Sequence, residues 1–162
     1  MPSPAAYKVV DLQFADRLYE YVSAATATAA LAKGRTSAPQ LLQLATGMGV
    51  ETQGIKQELL GWFSQWGKKP PTGAAALIGW PGLRWQAQVR QLAHLRGTAF
   101  AQEFLNMVIA NQHGALDAAT IEQEGGVFGP ARQLASQIVS SSTLAIVHSR
   151  QLLRELARRP VR

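Results

Sequence analysis

The feature that most constrains the fold of this chain is a helical pattern of apolar residues that occurs twice. From Val10 onward, apolar residues recur at steps of three and four, which places them on one face of an α-helix. The second half repeats the first at a constant shift of 90 residues, beginning with Phe14 and Phe104. The other matching pairs are Ala25 with Ala115, Leu44 with Leu134, Ala45 with Ala135, Trp62 with Leu152, and Phe63 with Leu153. This repeat predicts two copies of a two-helix unit, packed as a symmetric bundle of four helices.

Proline and glycine residues set the expected boundaries of these helices. Pro39 fits the first turn of a helix, and two prolines stop that helix after Trp66. The predicted helices cover residues 10–34, 39–66, 86–96, 99–124 and 130 onward, the fifth fraying into a basic tail. The apolar face of the fifth helix is predicted to comprise Leu134, Ile138, Leu144, Val147, Leu152 and Leu156. The predicted fold class is therefore all-α.

Length and composition indicate one domain. A chain of 162 residues with 47% hydrophobic residues can bury one substantial core. We predict a single domain over residues 1–162, with repeat one at about 8–67 and repeat two at about 86–158. A proline- and glycine-rich linker at about 68–85 joins the repeats.

The charge balance limits the classes of partner and site. Lys and Arg total 16 against 10 Asp and Glu, which gives a formal charge of +6 and a pI near 10.2. This excess favours an acidic protein, nucleic acid or an anionic lipid surface as the partner. The absence of Cys excludes disulfides, thiolate zinc sites and Cys nucleophiles. No apolar run crosses a bilayer, and the N-terminal MPSPAAYK lacks an export signal, so the expected compartment is cytoplasmic unless a signal has been removed.

Several short motifs resemble one known family. The matching segments are LA at 44–45, WF at 62–63, WG at 66–67, LRGTAFAQEFLNMVIA before Asn111, GAL at 114–116 and LASQI at 134–138. On these segments the chain resembles the family called domain of unknown function 305, whose better-known members are ferritin-like bundles that bind copper or related metals. The resemblance covers most of residues 8–156 and implies a ferritin-like four-helix bundle of two antiparallel hairpins, with a short extra helix in the crossover. Members are commonly exported, so it also implies an extracytoplasmic location if a signal has been removed.

The chain departs from the family where the metal ligands are expected. The paired His positions are occupied by Tyr21, Val22, Asn111 and Gln112. The Gln, Glu and Met positions of the second helices fall on Thr52, Ile55 and Leu59, and on Ser142, Ala145 and Ser149. Copper and related metals need imidazole or thioether donors that converge on one point, and amides are poor substitutes. The departures therefore predict a bundle that has lost its metal site.

An alternative hypothesis is a metal site with relocated ligands. His113 and His148 lie on the two long helices of the second repeat, where Met107 and Asp117 are further donors. Two His on different helices without a third fixed donor fall short of a specific metal pattern. We therefore expect these His residues to be exposed or hydrogen-bonded side chains.

No catalytic or cofactor motif is present in the sequence. The chain contains no Glu-x-x-His motif, as di-iron bundles require, and no phosphate-binding or dinucleotide-binding glycine loop. Ser140 to Ser142 and His148 lack an orienting acid for nucleophilic catalysis. We expect a non-enzymatic protein without a cofactor.

Two features are candidates for partner binding. Arg150, Arg154 and Arg158 recur at a four-residue step on one face of the last helix. Trp80 and Trp85 in the linker are anchors for a partner if their rings are exposed. The favoured hypothesis is an accessory subunit that binds another protein, and the alternative is a basic module for nucleic acid or anionic membrane.

Overall fold

The computed structural model describes residues 6–71 and 85–159. Those residues form an all-α helical bundle without a β-strand, as the periodicity predicted. The helices are α1 (Val9–Ala30), α2 (Pro39–Trp66), α3 (Trp85–Leu92), α4 (Gly97–Gly125) and α5 (Gly129–Arg158). None of the described helices is both long and apolar enough to span a bilayer.

The helix ends follow local backbone chemistry. α2 stops at Gly67, whose left-handed backbone (φ 67°) allows the Lys68 N–H to donate to the Phe63 carbonyl at 2.8 Å. α1 ends at Ala30, four residues earlier than predicted. The chain turns over the residues that follow, and Gly34 adopts a positive φ of 87° in this turn. α3 also ends four residues early, at Leu92.

The loops before α2 and α4 are tied together at one end of the bundle, the loop end. Arg35 Nε donates to the Ala93 carbonyl at 3.0 Å, and the Gly97 N–H donates to the Arg35 carbonyl at 2.9 Å. Arg96 Nη1 donates to the Gly34 carbonyl at 2.9 Å. These bonds satisfy carbonyl groups of both loops and hold the two hairpins side by side.

The core consists of two apolar clusters, one at each end of the bundle. At the loop end, Phe100 and Phe104 stack with ring centroids 5.6 Å apart. At the opposite end, the tryptophan end, Trp62 and Trp66 meet Phe128 edge-on at 5.5 and 5.0 Å. α1 packs against α2 and α4, and α4 packs against α5. The middle of the bundle separates the two clusters.

The predicted apolar face of α5 is wrong at two positions. Leu144 and Val147 are 70% and 57% exposed, whereas Ser142 and Ser149 are buried beside Ile146. Val147 lies nine residues after Ile138, about two and a half helical turns, and so on the opposite side. The prediction was wrong here because it grouped these residues by hydrophobicity and not by their angular position around the helix.

Equivalent elements of the two halves keep the shift of 90 residues. α2 begins at Pro39 and α5 at Gly129. Asn111 and Tyr21, which also differ by 90, are joined by a hydrogen bond between α4 and α1. The division into one domain with two repeats and a linker remains a prediction, since the structure does not describe residues 72–84.

Candidate functional site

The positions where the resemblance implies metal ligands meet in the middle of the bundle. A cavity of about 40 Å³ lies there, between α1, α2, α4 and α5. Seven of the ten substituted positions line it: Tyr21, Val22, Thr52, Ile55, Asn111, Gln112 and Ser142. Leu59, Ala145 and Ser149 do not line it. Most of these positions therefore converge on one region of the structure, where their side chains are a phenol, amides, hydroxyls and apolar groups.

Five polar side chains in the middle of the bundle bond one another or the backbone. We call Thr26, Thr52, Asn111, Gln112 and Ser142 the polar layer. Ser142 Oγ donates to Gln112 Oε1 at 2.7 Å, and Thr26 Oγ1 donates to Thr52 Oγ1 at 2.9 Å. Thr52 Oγ1 donates to a backbone carbonyl of its own helix at 2.8 Å. Asn111 Nδ2 donates to the backbone carbonyl of Tyr21 at 3.0 Å. Each of these five side chains has a partner within the protein, which removes most of the cost of burying it.

Tyr21 fits its position because Gly114 lies beside it. A Cβ atom on Gly114 would overlap the Tyr21 ring and hydroxyl. Burial raises the pKa of Tyr21, with a further increase from Asp117 that Arg17 opposes. The phenol thus fills space next to α4, and the absent side chain at Gly114 is a requirement for this packing.

The residues of the cavity do not fit copper or a related metal. Its lining offers amide and hydroxyl groups, with Met48 as the one soft donor and Glu51 as the one carboxylate among the residues described around it. Soft or borderline metals select imidazole, thiolate and thioether ligands. Across residues 6–71 and 85–159, no three His, Cys, Asp or Glu side chains form a cluster that could hold a metal ion.

The residues of the relocated-site hypothesis lie in two places. Met107, His113 and Asp117 line an outer pocket of about 360 Å³ between α1, α3 and α4. His148 instead lines a groove between α2, α4 and α5. His113 is exposed and its Nε2 lies 3.4 Å from an Arg150 nitrogen. The structure thus brings three of these four residues together and leaves the fourth on another face.

The structure describes one of the two proposed tryptophan anchors, Trp85. Trp80 lies outside the described residues. Trp85 begins α3 and is half-buried, and its indole Nε1 donates to Glu20 Oε2 at 3.0 Å. Glu20 is buried on α1, so this bond ties α3 to the bundle. An indole that is bonded to its own protein is a weaker candidate for a partner anchor than a free one.

The three arginines predicted to share a face are all exposed. They lie on the outer side of α5, and Arg150 is the one that approaches His113. No hydrogen bond or ion pair connects the side chain of Arg154 or Arg158 to another residue within the described ranges. Their charges face solvent.

Sequence reasoning missed a pair of buried acids at the tryptophan end. Asp11 is fully buried and accepts hydrogen bonds from the N–H groups of Lys8 (2.7 Å), Val127 (3.1 Å) and Phe128 (3.1 Å). It therefore holds the start of α1 against the turn before α5. An Asp in the first turn of α1 is a recognisable capping signal, but its bonds to a turn more than a hundred residues away are not.

Glu122 is the second acid of this pair. It is fully buried, and no N–H group of the described residues reaches its carboxyl oxygens. Burial, and then the neighbouring Asp11, raise the pKa of Glu122 to about 8, against the opposing charge of Arg132. Burial alone would raise the pKa of Asp11, but hydrogen bonds from Glu122 and the backbone outweigh it and lower that pKa. One proton therefore resides on Glu122 at neutral pH.

The fold and site together define a class: an all-α helical bundle with a cavity in its middle. The family model of the domain of unknown function DUF305 matches residues 11–153, and the chain belongs to that family. Among curated proteins, none has a significantly similar sequence.

Several solved structures share this fold, and two of them are DUF305 proteins. A DUF305 fragment from Deinococcus radiodurans is 20% identical with a TM-score of 0.79, covering 92% of this chain and 98% of its own. A DUF305 protein from Streptomyces coelicolor, thought to be secreted, is 19% identical with a TM-score of 0.77, covering 90% and 93%. CopM in its Cu(I)-bound form is 19% identical with a TM-score of 0.75, covering 90% and 96%. At these identities the likeness shows the fold alone.

Proposed function

We propose that this protein is a metal-free, ferritin-like member of the DUF305 family, and that it works by binding another protein as a non-enzymatic accessory subunit. The proposal rests on one observation above all. Seven of the ten residues at the family's ligand positions line a single cavity, and the polar groups of Thr52, Asn111, Gln112 and Ser142 among them are hydroxyls and amides that are bonded within the protein.

The geometry supports loss of the metal without loss of the fold. A buried ligand set that loses its metal leaves polar groups unsatisfied, which costs several kcal/mol unless new partners form. Here Gln112 bonds Ser142, Asn111 bonds the backbone of α1, and the cavity has room for about one water molecule. A self-satisfied layer of this kind keeps the scaffold available for another role.

Metal loading of the purified protein tests this proposal. After exposure to Cu(I), Cu(II) and Zn(II) and extensive dialysis, elemental analysis should find no stoichiometric metal. The matched control restores the family pattern with Tyr21→His, Val22→His, Asn111→His and Gln112→His, and should retain copper because imidazole donors then converge on the cavity. Stoichiometric copper in the wild-type protein contradicts the proposal.

A second candidate function is metal binding in the outer pocket. It is favoured by the shared location of Met107, His113 and Asp117, and by the copper-bound state of the structural neighbour CopM. If the wild-type protein retains copper, His113→Ala should release it and His148→Ala should not, because His148 lies on another face. The two variants thus separate a real outer site from adventitious binding.

For the compartment we propose an extracytoplasmic location. It is supported by the relative from Streptomyces coelicolor that is thought to be secreted. Fractionation of the producing cells with an antibody against the native protein tests this, and recovery with cytoplasmic markers contradicts it.

A further inference from the structure

The exposed side of α5 carries apolar residues where a solvated helix has polar ones. We define the α5 outer face as Leu144, Val147, Arg150, Arg154 and Arg158. Its two aliphatic side chains are exposed although serines of the same helix are buried. In this stretch these aliphatic side chains are exposed and these serine side chains are buried, which is the reverse of the usual pattern. Leu144 and Val147 lie about one helical turn apart and form the apolar end of this face, next to its arginines.

The remainder of this face is a row of positive charge. The three arginines follow at intervals of four residues, a rise of about 6 Å each along the helix. Arg154 and Arg158 form no ion pair with any residue that the structure describes, and the whole chain carries a formal charge of +6. A complementary surface would therefore present carboxylates at one-turn intervals next to an apolar end.

We infer that the α5 outer face binds an acidic amphipathic helix of another protein, with aliphatic residues against Leu144 and Val147 and carboxylates against the arginine row. This inference rests on the proposed function and names the surface and partner chemistry for it. A helix matches the row because its residues i, i+4 and i+8 repeat at the spacing of the arginines. A bilayer is a poorer match, since membrane-bound amphipathic helices insert a broad apolar face and this one offers two aliphatic residues.

Site-specific photocrosslinking in the cells that produce the protein tests the inference. A photoreactive residue replaces Val147, and the matched control carries it at Gln57, an exposed residue of α2. We expect one protein to be crosslinked at 147 and not at 57, through a segment with carboxylates one helical turn apart. Arg154→Glu with Arg158→Glu should lower the yield about tenfold, whereas Lys68→Glu with Lys69→Glu should leave it unchanged.

A charge exchange makes the test decisive. Reversing the carboxylates of the crosslinked segment to Lys should restore binding to the Arg154→Glu, Arg158→Glu variant. Equal yields at 147 and 57, a lipid or nucleic-acid adduct at 147, or no effect of the arginine reversals would overturn the inference. Purified protein binding phosphatidylglycerol vesicles or duplex DNA through these arginines would also overturn it. The metal-loading result is independent of every one of these outcomes, so the two proposals fail separately.

Discussion

The bundle buries polar groups in two regions, and these groups are stabilised differently in each. The polar layer in its middle consists of neutral amides and hydroxyls that bond one another and the backbone. The acid pair at the tryptophan end consists of two carboxyl groups, of which Asp11 is held by N–H groups and Glu122 keeps its proton. The layer should therefore be insensitive to pH, whereas the pair should make stability depend on it.

The largest expected effect is the loss of Asp11. Asp11→Ala removes the acceptor for three backbone N–H groups and should lower the free energy of unfolding by about 3 kcal/mol, because hydrogen bonds to a charged group are among the strongest. Urea denaturation measures it. The matched control is Asp16→Ala on the same helix. Burial raises the pKa of Asp16 to about 6, so its charged form is disfavoured and its removal should cost little. Equal losses for both variants would contradict the capping role.

The second effect tests how Tyr21 is accommodated beside the polar layer. Gly114→Ala places a methyl group in the space of the Tyr21 ring and should cost about 2 kcal/mol by overpacking. Gly61→Ala is the matched control, because nothing lies within 4 Å of that position and alanine favours the helix by about 1 kcal/mol. In a Tyr21→Ala background, Gly114→Ala should cost much less, because the added methyl group then has no ring to meet. A Gly114→Ala variant as stable as Gly61→Ala would show that the ring moves freely.

The third effect concerns the bonds within the layer. Ser142→Ala leaves Gln112 Oε1 without its donor and should cost about 1.5 kcal/mol. The double variant Ser142→Ala, Gln112→Leu should lose less stability than the sum of the two single variants, because removing both partners leaves no unpaired polar group. Thr143→Ala serves as the control, because its hydroxyl bonds its own helix on the exposed side. Strict additivity in this double-mutant cycle would mean that the bond contributes nothing.

The two regions also differ in how far the sequence could predict them. Helix starts and stops follow Pro39 and Gly67, and the shift of 90 residues placed Tyr21 and Asn111 at one level of the bundle. These features depend on local chemistry and register. The burial of Glu122 depends on where the α4–α5 turn meets α1, a contact between distant parts of the chain. The exposure of Val147, by contrast, follows from helical periodicity, because Val147 lies about two and a half turns from the buried Ile138.

The smallest effect follows from the proton on Glu122 and distinguishes the two regions directly. A carboxyl whose pKa is about 8 when folded and near 4.5 when unfolded binds more proton in the folded state between those values. Stability should therefore fall as pH rises through this range, by about 1 kcal/mol per unit.

Urea denaturation midpoints at about pH 6.5 and about pH 7.5 measure this decline. Both values lie above the pKa of about 6 for Asp16, so that residue contributes little to the difference. Glu122→Gln should remove most of the decline, since an amide keeps the shape without a titratable proton. Ser142→Ala should lower stability equally at both pH values. A decline in Glu122→Gln as steep as that of the wild-type protein would assign the pH dependence to another group and leave the acid pair no different from the polar layer.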